Sequence, residues 1–579
     1  MLPALDDGAV EIAASLALIA QRWSNSVLRG VQIMMLKPSL TLILAGALSL
    51  SAAQDEHVGH NYAGDFGKVH FAISCSPASQ QLFDRGVAML HSFFYPETEK
   101  AFQTIAQQEP SCAMAYWGIA ISQRPNPLTA PFAPALLKQG WEAIQKARAA
   151  APPTQRERDW IEALAVFFQD YETVDQRTRS ARYEVAMERL YSRDATDTEA
   201  TAFYALALLE AVDLTDKKYS KQLKAAEILE RLQKTHPDHP GVVHYLIHSY
   251  DYAPIASKRL PAARRYAALA PSAPHALHMP SHIFSTLGMW QDAIRSNLAA
   301  DAANRAYAAS TNPSAAANPA TIAARYHNLD FLTNAYLQLG QDQRAKAVVD
   351  ERNSIGELPT SAGMTSQTGF AAIAVRYVFE RGAWKEAAML PPLNTPFKQA
   401  DAIIWFARAL GAARSGDVAG SKSSLSQISR LQKELVAAGD PYWAEQVGIQ
   451  ETAASAWIAL AENDSSQAIA LMRNAADLED RSEKHIAMEN RLSPMRELLG
   501  ELLLAANKPA EALREFERSL RVVPNRFRSL AGAGQAASQS GKKKVAESYF
   551  KQLLSMAANA DSERPALKTA RSFVQQKGR

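Results

Sequence analysis

Apolar residues recur along most of this chain at the three- and four-residue spacing of a buried helix face, as in "MRELLGELLLAANKPAEALREFERSLRVVP" at 495–524. The runs are punctuated by single Gly or Asn residues, each followed five positions later by a small side chain: Gly288 and Ala293, Gly340 and Ala345, Gly382 and Ala387, Gly416 and Ser421, Asn463 and Ala468, Asn507 and Ala512, Gly541 and Ala546. A left-handed residue ends one helix, and a small residue one turn into the next lets the two backbones approach closely. Each unit therefore reads as a helical hairpin. Period-two runs bounded by hairpin turns are absent, so strands are not expected.

The turns are separated by 52, 42, 34, 47, 44 and 34 residues. Two of these intervals equal the roughly 34-residue period of a tetratricopeptide repeat, and the rest fit the same hairpin with longer helices or loops. The segments "LGMWQDAI", "RGAWKEAA", "ANKPAEALREFERSLRVVPN" and "YPETEKAFQTIAQQEPSCAMAYWGIA" resemble the tetratricopeptide repeat family over most of residues 79–579. The implied fold is all-α, a right-handed α-solenoid of stacked helical hairpins. A chain of 579 residues, 47% hydrophobic and 21% charged, is long enough for such an array.

Proline- and small-residue-rich stretches set expected boundaries. "QRPNPLTAPFAP" (123–134) interrupts the early array, "SIGELPTSAGMTS" (354–366) marks a second loop, and "AASTNPSAAANPAT" (308–321) reads as a linker between an amino-terminal array (54–307) and a carboxyl-terminal one (322–579). Residues 34–54 have the form of a Sec-type signal: Lys37, an apolar stretch from Leu40 to Leu50, then Ser51 and Ala53 as small residues before cleavage. Cleavage is expected after Ala53, with translation starting at Met34 or Met35. The apolar stretch is too short to span a membrane, and no cysteine follows it to carry a lipid. A periplasmic or secreted protein is the expectation.

Export changes the meaning of the two cysteines, since an oxidising compartment lets thiols pair. Cys75 and Cys112 are a candidate disulfide; two separate buried thiols are the alternative. Neither lies in a haem-attachment motif, and their spacing with His70 and His91 is not that of a zinc site. His91, among apolar residues in "MLHSFFY", reads as a core histidine. Lys plus Arg (62) nearly balances Asp plus Glu (59), so no large basic field points to nucleic acid.

Histidine is the residue whose distribution demands chemistry. Eight of thirteen (236, 239, 244, 248, 275, 278, 282 and 327) fall within residues 236–327, where an even spread gives about two. His236 and His239, in "THPDHPG", read as exposed turn residues. "HYLIHSYD" sets His244, His248 and Asp251 on one helical face. "PHALHMPSHIF" contributes His275, His278 and His282, with Pro280 weakening the same-face argument for the last pair. "YHNLDFL" adds His327 and Asp330.

Three readings of these residues stay open. One is a hydrogen-bonded packing network. A second is a groove, lined by the histidines with Tyr250, Tyr252, Tyr326, Asp251 and Asp330, that binds a protein, peptide or small ligand. The third is a site for a divalent transition metal, Zn, Cu, Ni or Fe. Tyr245 and Met279 stand where a zinc protease carries glutamate, and no phosphate loop or nucleophile motif is present, so no catalytic residue is assigned and an enzyme is not the preferred class. The motifs "HYLIHSYD" and "HALHMPSHIF", with "SCSPASQQLFDRGVAMLHSF" and "CAMAYWG", also resemble a set of secreted bacterial tetratricopeptide proteins; that resemblance implies export and supplies no catalytic residues. The preferred reading is an exported scaffold with its groove around 244–330, and the alternative is a metal-binding protein, less readily a metal-dependent enzyme.

Overall fold

A computed structural model describes residues 64–129, 131–311 and 323–576. The expected signal segment and its cleavage point lie outside the described residues, as does most of the expected linker; the helix Trp290–Thr311 runs into the linker's first residues. Every regular element among the described residues is helical, and consecutive helices pack as antiparallel hairpins. No described helix is long and apolar enough to cross a membrane.

The punctuation seen in the sequence has the expected backbone cause. Gly288, Gly340, Gly382, Gly416, Asn463, Asn507 and Gly541 all have φ between 56° and 88°, the left-handed region that ends a helix. The small residues five positions on, Ala293, Ala345, Ala387, Ser421, Ala468, Ala512 and Ala546, are all 0% exposed. A larger side chain there would hold the paired helices apart. Side-chain caps supplement the turns: Thr154 and Glu157 form a reciprocal capping box, and Asp197, Asp417, Asp440 and Asp464 each accept from a backbone N–H of the following first turn.

The array closes on itself. Trp290 Nε1 donates to the carbonyl of Asn525 at 2.7 Å, and the Asp561 carboxylate accepts from the backbone N–H of Gln343 at 2.9 Å. The irregular segment 480–494 crosses to the amino-terminal half, where the N–H of Glu483 reaches the carbonyl of Leu214 at 2.8 Å. Cys75 and Cys112 are joined in a disulfide that ties the entry of the helix Pro77–His91 to the start of the helix Ala113–Ser122. The helix Pro240–Tyr250 lies in the middle of this closure, with every one of its residues buried.

Candidate metal centre

Three short stretches bring the six histidines together. The helix Pro240–Tyr250 presents His244 and His248 one turn apart. His275 and His278 lie on the helix Pro274–His278, and His282 on Pro280–Thr286. Pro280 does not separate the last pair as the sequence led us to expect. Met279 keeps helical angles (φ −52°, ψ −36°), so the ring face continues across the proline and His278 Nε2 stands 3.1 Å from His282 Nε2. His327 opens the helix Tyr326–Gln338, which the helix Met364–Glu380 approaches closely at Gly369; a Cβ there would lie 2.5 Å from the carbonyl of Tyr326.

The six rings form two trios. One nitrogen from each of His244, His248 and His275 lies within 4.8 Å of the others, and the same holds for His278, His282 and His327. Rings of the two trios touch, with centroids 5.7 Å apart between His248 and His282 and 5.8 Å between His275 and His278. Each trio has a phenylalanine against it. Phe93 lies 4.5 Å from His244 and 5.3 Å from His275, and Phe331 lies 4.7 Å from both His278 and His282. Phe93 holds φ at 54°, a left-handed conformation that costs a bulky L-residue roughly 1–2 kcal/mol. His275 and His327 are half-buried and the other four rings are buried, so each trio keeps one edge toward the surface.

Hydrogen bonds decide which nitrogens are free. His244 Nδ1 donates to the carbonyl of His91 at 2.6 Å. His282 Nδ1 donates to Asp251 Oδ2 at 2.7 Å. His278 Nδ1 meets Asn297 Oδ1 at 2.7 Å, and the Asn297 amide is oriented because its Nδ2 donates to the carbonyl of Ala293 at 2.8 Å. In these three rings the proton is therefore on Nδ1 and the lone pair on Nε2 faces the cluster. A carboxylate, amide or carbonyl behind Nδ1 is the usual outer support of a metal-ligating histidine. His244 Nε2, both nitrogens of His248, and His275 Nε2 are buried without a partner.

Burial also sets the charge state. Desolvation pushes His244 down to about 3 and His278 to about 4, and holds His248, His275, His282 and His327 well below the ordinary imidazole value. All six rings are neutral, the form that ligates metals.

A third cluster shows the contrast. His91, Glu199 and His239 also converge within 4.8 Å, but every ligand atom there is used. His91 Nε2 and His239 Nε2 donate to the two Glu199 oxygens at 2.8 and 2.9 Å. His91 Nδ1 meets Tyr245 Oη at 2.8 Å, and His239 Nδ1 accepts from the N–H of Val242 at 3.3 Å. This is a packing network, made possible by Gly241, where a Cβ would lie 2.4 Å from His91 Nδ1. His239 is thus a buried N-cap and not the exposed turn residue its loop context predicts; His236 is exposed. His70 is apart from the site, exposed and bonded to Asp84.

The open groove expected around 244–330 is not what these residues form. His244, His248, Asp251, Tyr252, His278, His282, Tyr326 and Asp330 are each no more than 1% exposed, because helices and the 480–494 segment cover the polar face of Pro240–Tyr250. The two aspartates stand outside both trios. Asp330 is paired with Arg376 Nε at 2.7 Å, and Asp251 accepts from His282, from Thr286 at 3.0 Å and from Lys484 at 2.6 Å. Four residues that touch or support the cluster, Phe93, Asn297, Phe331 and Lys484, were not singled out from sequence. Phe331 carried a signal, one helical turn after His327; Lys484 lies 233 residues from Asp251 and carried none.

A cleft of about 110 Å³ lies on the far side of Asp330 and Lys484, and none of the six trio histidines lines it. Its lining includes Asp330, Arg376, Trp443, Lys484, His485 and Glu489. One link joins the cleft to the second trio: Lys484, in the cleft lining, holds the Asp251 that accepts from His282. Thr368 Oγ1, Asn490 Nδ2 and Ser493 Oγ, also in its lining, are buried without partners.

No family model and no curated protein sequence matches the chain. Among solved structures it is similar to the human IFIT1 dimer with m7Gppp-AAAA, at 12% identity over 77% of this chain and 90% of that one, with a TM-score of 0.33. It is also similar to the Cut9–Hcn1 hetero-tetramer of APC/C (11% identity, 87% and 96% coverage, TM-score 0.27) and to Naa15/Naa10 bound to HypK-THB (11%, 86% and 96%, 0.23). The class defined by the chain's own fold is an all-helical solenoid of stacked hairpins.

Proposed function

We propose that this solenoid is an exported metalloprotein whose interior carries two adjacent metal sites, one of His244, His248 and His275 and one of His278, His282 and His327. A single observation carries the reading. Nε2 of His278 and Nε2 of His282 face each other at 3.1 Å while both Nδ1 atoms are committed as donors, so two lone pairs converge in the buried interior. That contact is repulsive unless a cation lies between the rings. Burial disfavours a proton on either ring, which supports a metal ion in that role. The same logic extends to the first trio, where the lone pair of His244 Nε2 points into unpartnered nitrogens of His248 and His275.

Three protein ligands per ion leave coordination positions open, the arrangement of sites that bind or transform an exogenous molecule. The cleft lined by Asp330 and Lys484 supports a small-ligand scaffold reading for the same chain, with Thr368, Asn490 and Ser493 supplying unsatisfied polar groups. The disulfide supports export. Elemental analysis of protein purified without a histidine tag and equilibrated with first-row transition metals tests the reading. Two equivalents per chain are expected. Absence of any stoichiometric metal overturns it.

A further inference from the structure

We infer that the two histidine trios take monovalent copper, Cu(I), one ion in each. The inference rests on the metal reading above and goes further by naming the ion from the charge and chemistry of its surroundings.

The ligand sets are electrically neutral. Neither trio contains a carboxylate or a thiolate, so nothing in the inner shell offsets a cation's charge. Two of the three nearby buried carboxyls are neutralised by cations, and the third, Glu489, is held by the Ser285 hydroxyl. Asp251 is bonded to Lys484 and Asp330 to Arg376, each a pair of opposite charges. Packed against the rings are Phe93, Phe331 and Tyr266, whose ring stacks on His244 at 5.4 Å.

The cost of placing an ion in such a medium rises with the square of its charge. The idealised penalty for a monovalent ion is of order 20 kcal/mol, and a divalent ion incurs about four times that. Two divalent ions side by side would carry four charges into an interior where Asp251 and Asp330 are already paired with cations and Glu489 is the one further buried carboxyl near the second trio, among the described residues. Two monovalent ions carry half that charge, at about a quarter of the desolvation cost per ion.

Coordination preference points the same way. Zn(II) completes a tetrahedral shell, and in three-histidine sites it does so with water. Phe93 and Phe331, packed against the rings, offer such a water no hydrogen-bond partner. Cu(I) is soft, accepts imidazole and is stable with two or three ligands, so each trio holds it without a water while a position stays free for an exogenous ligand. The Nε2 separation of 3.1 Å between His278 and His282 already suits two ligands of a shared ion.

The test is an anaerobic titration of the full, tag-free chain, stripped of metal, against Cu(I) held by the chromophoric chelator bicinchoninate, followed by a challenge with Zn(II). The chain is expected to withdraw two equivalents of Cu(I) from the chelator and to keep both against about a hundredfold excess of Zn(II). His248→Ala and His282→Ala are each expected to withdraw one equivalent, with unchanged far-ultraviolet circular dichroism. If the chain binds two equivalents of Zn(II) yet takes no Cu(I), or if Zn(II) displaces the copper, the copper assignment is overturned and the two-site reading stands. If it retains neither ion, both fall.

Discussion

His282 and Asp251, 31 residues apart in sequence, share a buried 2.7 Å hydrogen bond from Nδ1 to a carboxylate oxygen that Lys484 also holds. The carboxylate fixes the imidazole tautomer and aims its Nε2 at His278. Asp251→Asn keeps the shape but weakens the acceptor and leaves Lys484 without its counter-charge. We expect the second site to lose metal affinity by about 10- to 100-fold with the first unchanged. Chelator competition, comparing the tighter and weaker equivalents, measures this; equal loss at both sites contradicts the separate roles of the trios.

Glu489 reports on the segment that covers the site. It is buried, accepts from Ser285 Oγ at 2.9 Å, and desolvation raises it from an ordinary 4.5 to about 7. Its folded value lies above its unfolded value, so the folded chain binds the proton more tightly. The stability this contributes is complete below about pH 4.5 and is lost as pH rises through 7. The loss is at most about 3 kcal/mol. Urea midpoints of wild type should fall across that window, and Glu489→Gln should flatten the dependence.

Arg526 locks the carboxyl-terminal hairpins. Its guanidinium is fully buried and bonded to Glu497 at 2.8 and 2.9 Å and to Glu380, joining the helices Met364–Glu380, Met495–Ala505 and Phe527–Gln539. Arg526→Ala leaves two buried carboxylates without their bonded counter-charge and is expected to cost about 3–5 kcal/mol. Adding Glu380→Gln and Glu497→Gln should recover part of that loss in denaturant titrations; no recovery would mean that packing, and not charge, sets the cost.

The Cys75–Cys112 bond closes a loop of 37 residues. Chain-entropy arguments give such a loop about 4 kcal/mol of stabilisation. Cys75→Ala with Cys112→Ala should lower the urea midpoint accordingly, and wild type in reductant should match the double variant.

The helical array was legible because its turns are chemical: a Gly or Asn that must be left-handed, and a small residue where two helices touch. The histidine cluster was legible as an enrichment, and its i, i+4 pairs as faces. Its burial was only one of the open readings, as a packing network. The pattern on Pro240–Tyr250 sets His244 and His248 on one face without saying what covers it, and the cover comes from Phe93, 151 residues before His244, and from Lys484 and Glu489 far beyond it. For the same reason His239 read as exposed: its partner Glu199 lies 40 residues away, across a hairpin that local pattern does not specify. Pro280 misled in the opposite direction, because the loss of one N–H at a helix junction leaves the side-chain face intact.

Anomalous diffraction from crystals of the metal-loaded chain, collected on both sides of the metal's absorption edge, is the most direct measurement. Two peaks are expected, one about 2 Å from nitrogens of His244, His248 and His275 and one equally close to those of His278, His282 and His327. Crystals equilibrated with metal that show no peak at either trio, with His278 and His282 bridged by a water or turned apart, would contradict the account.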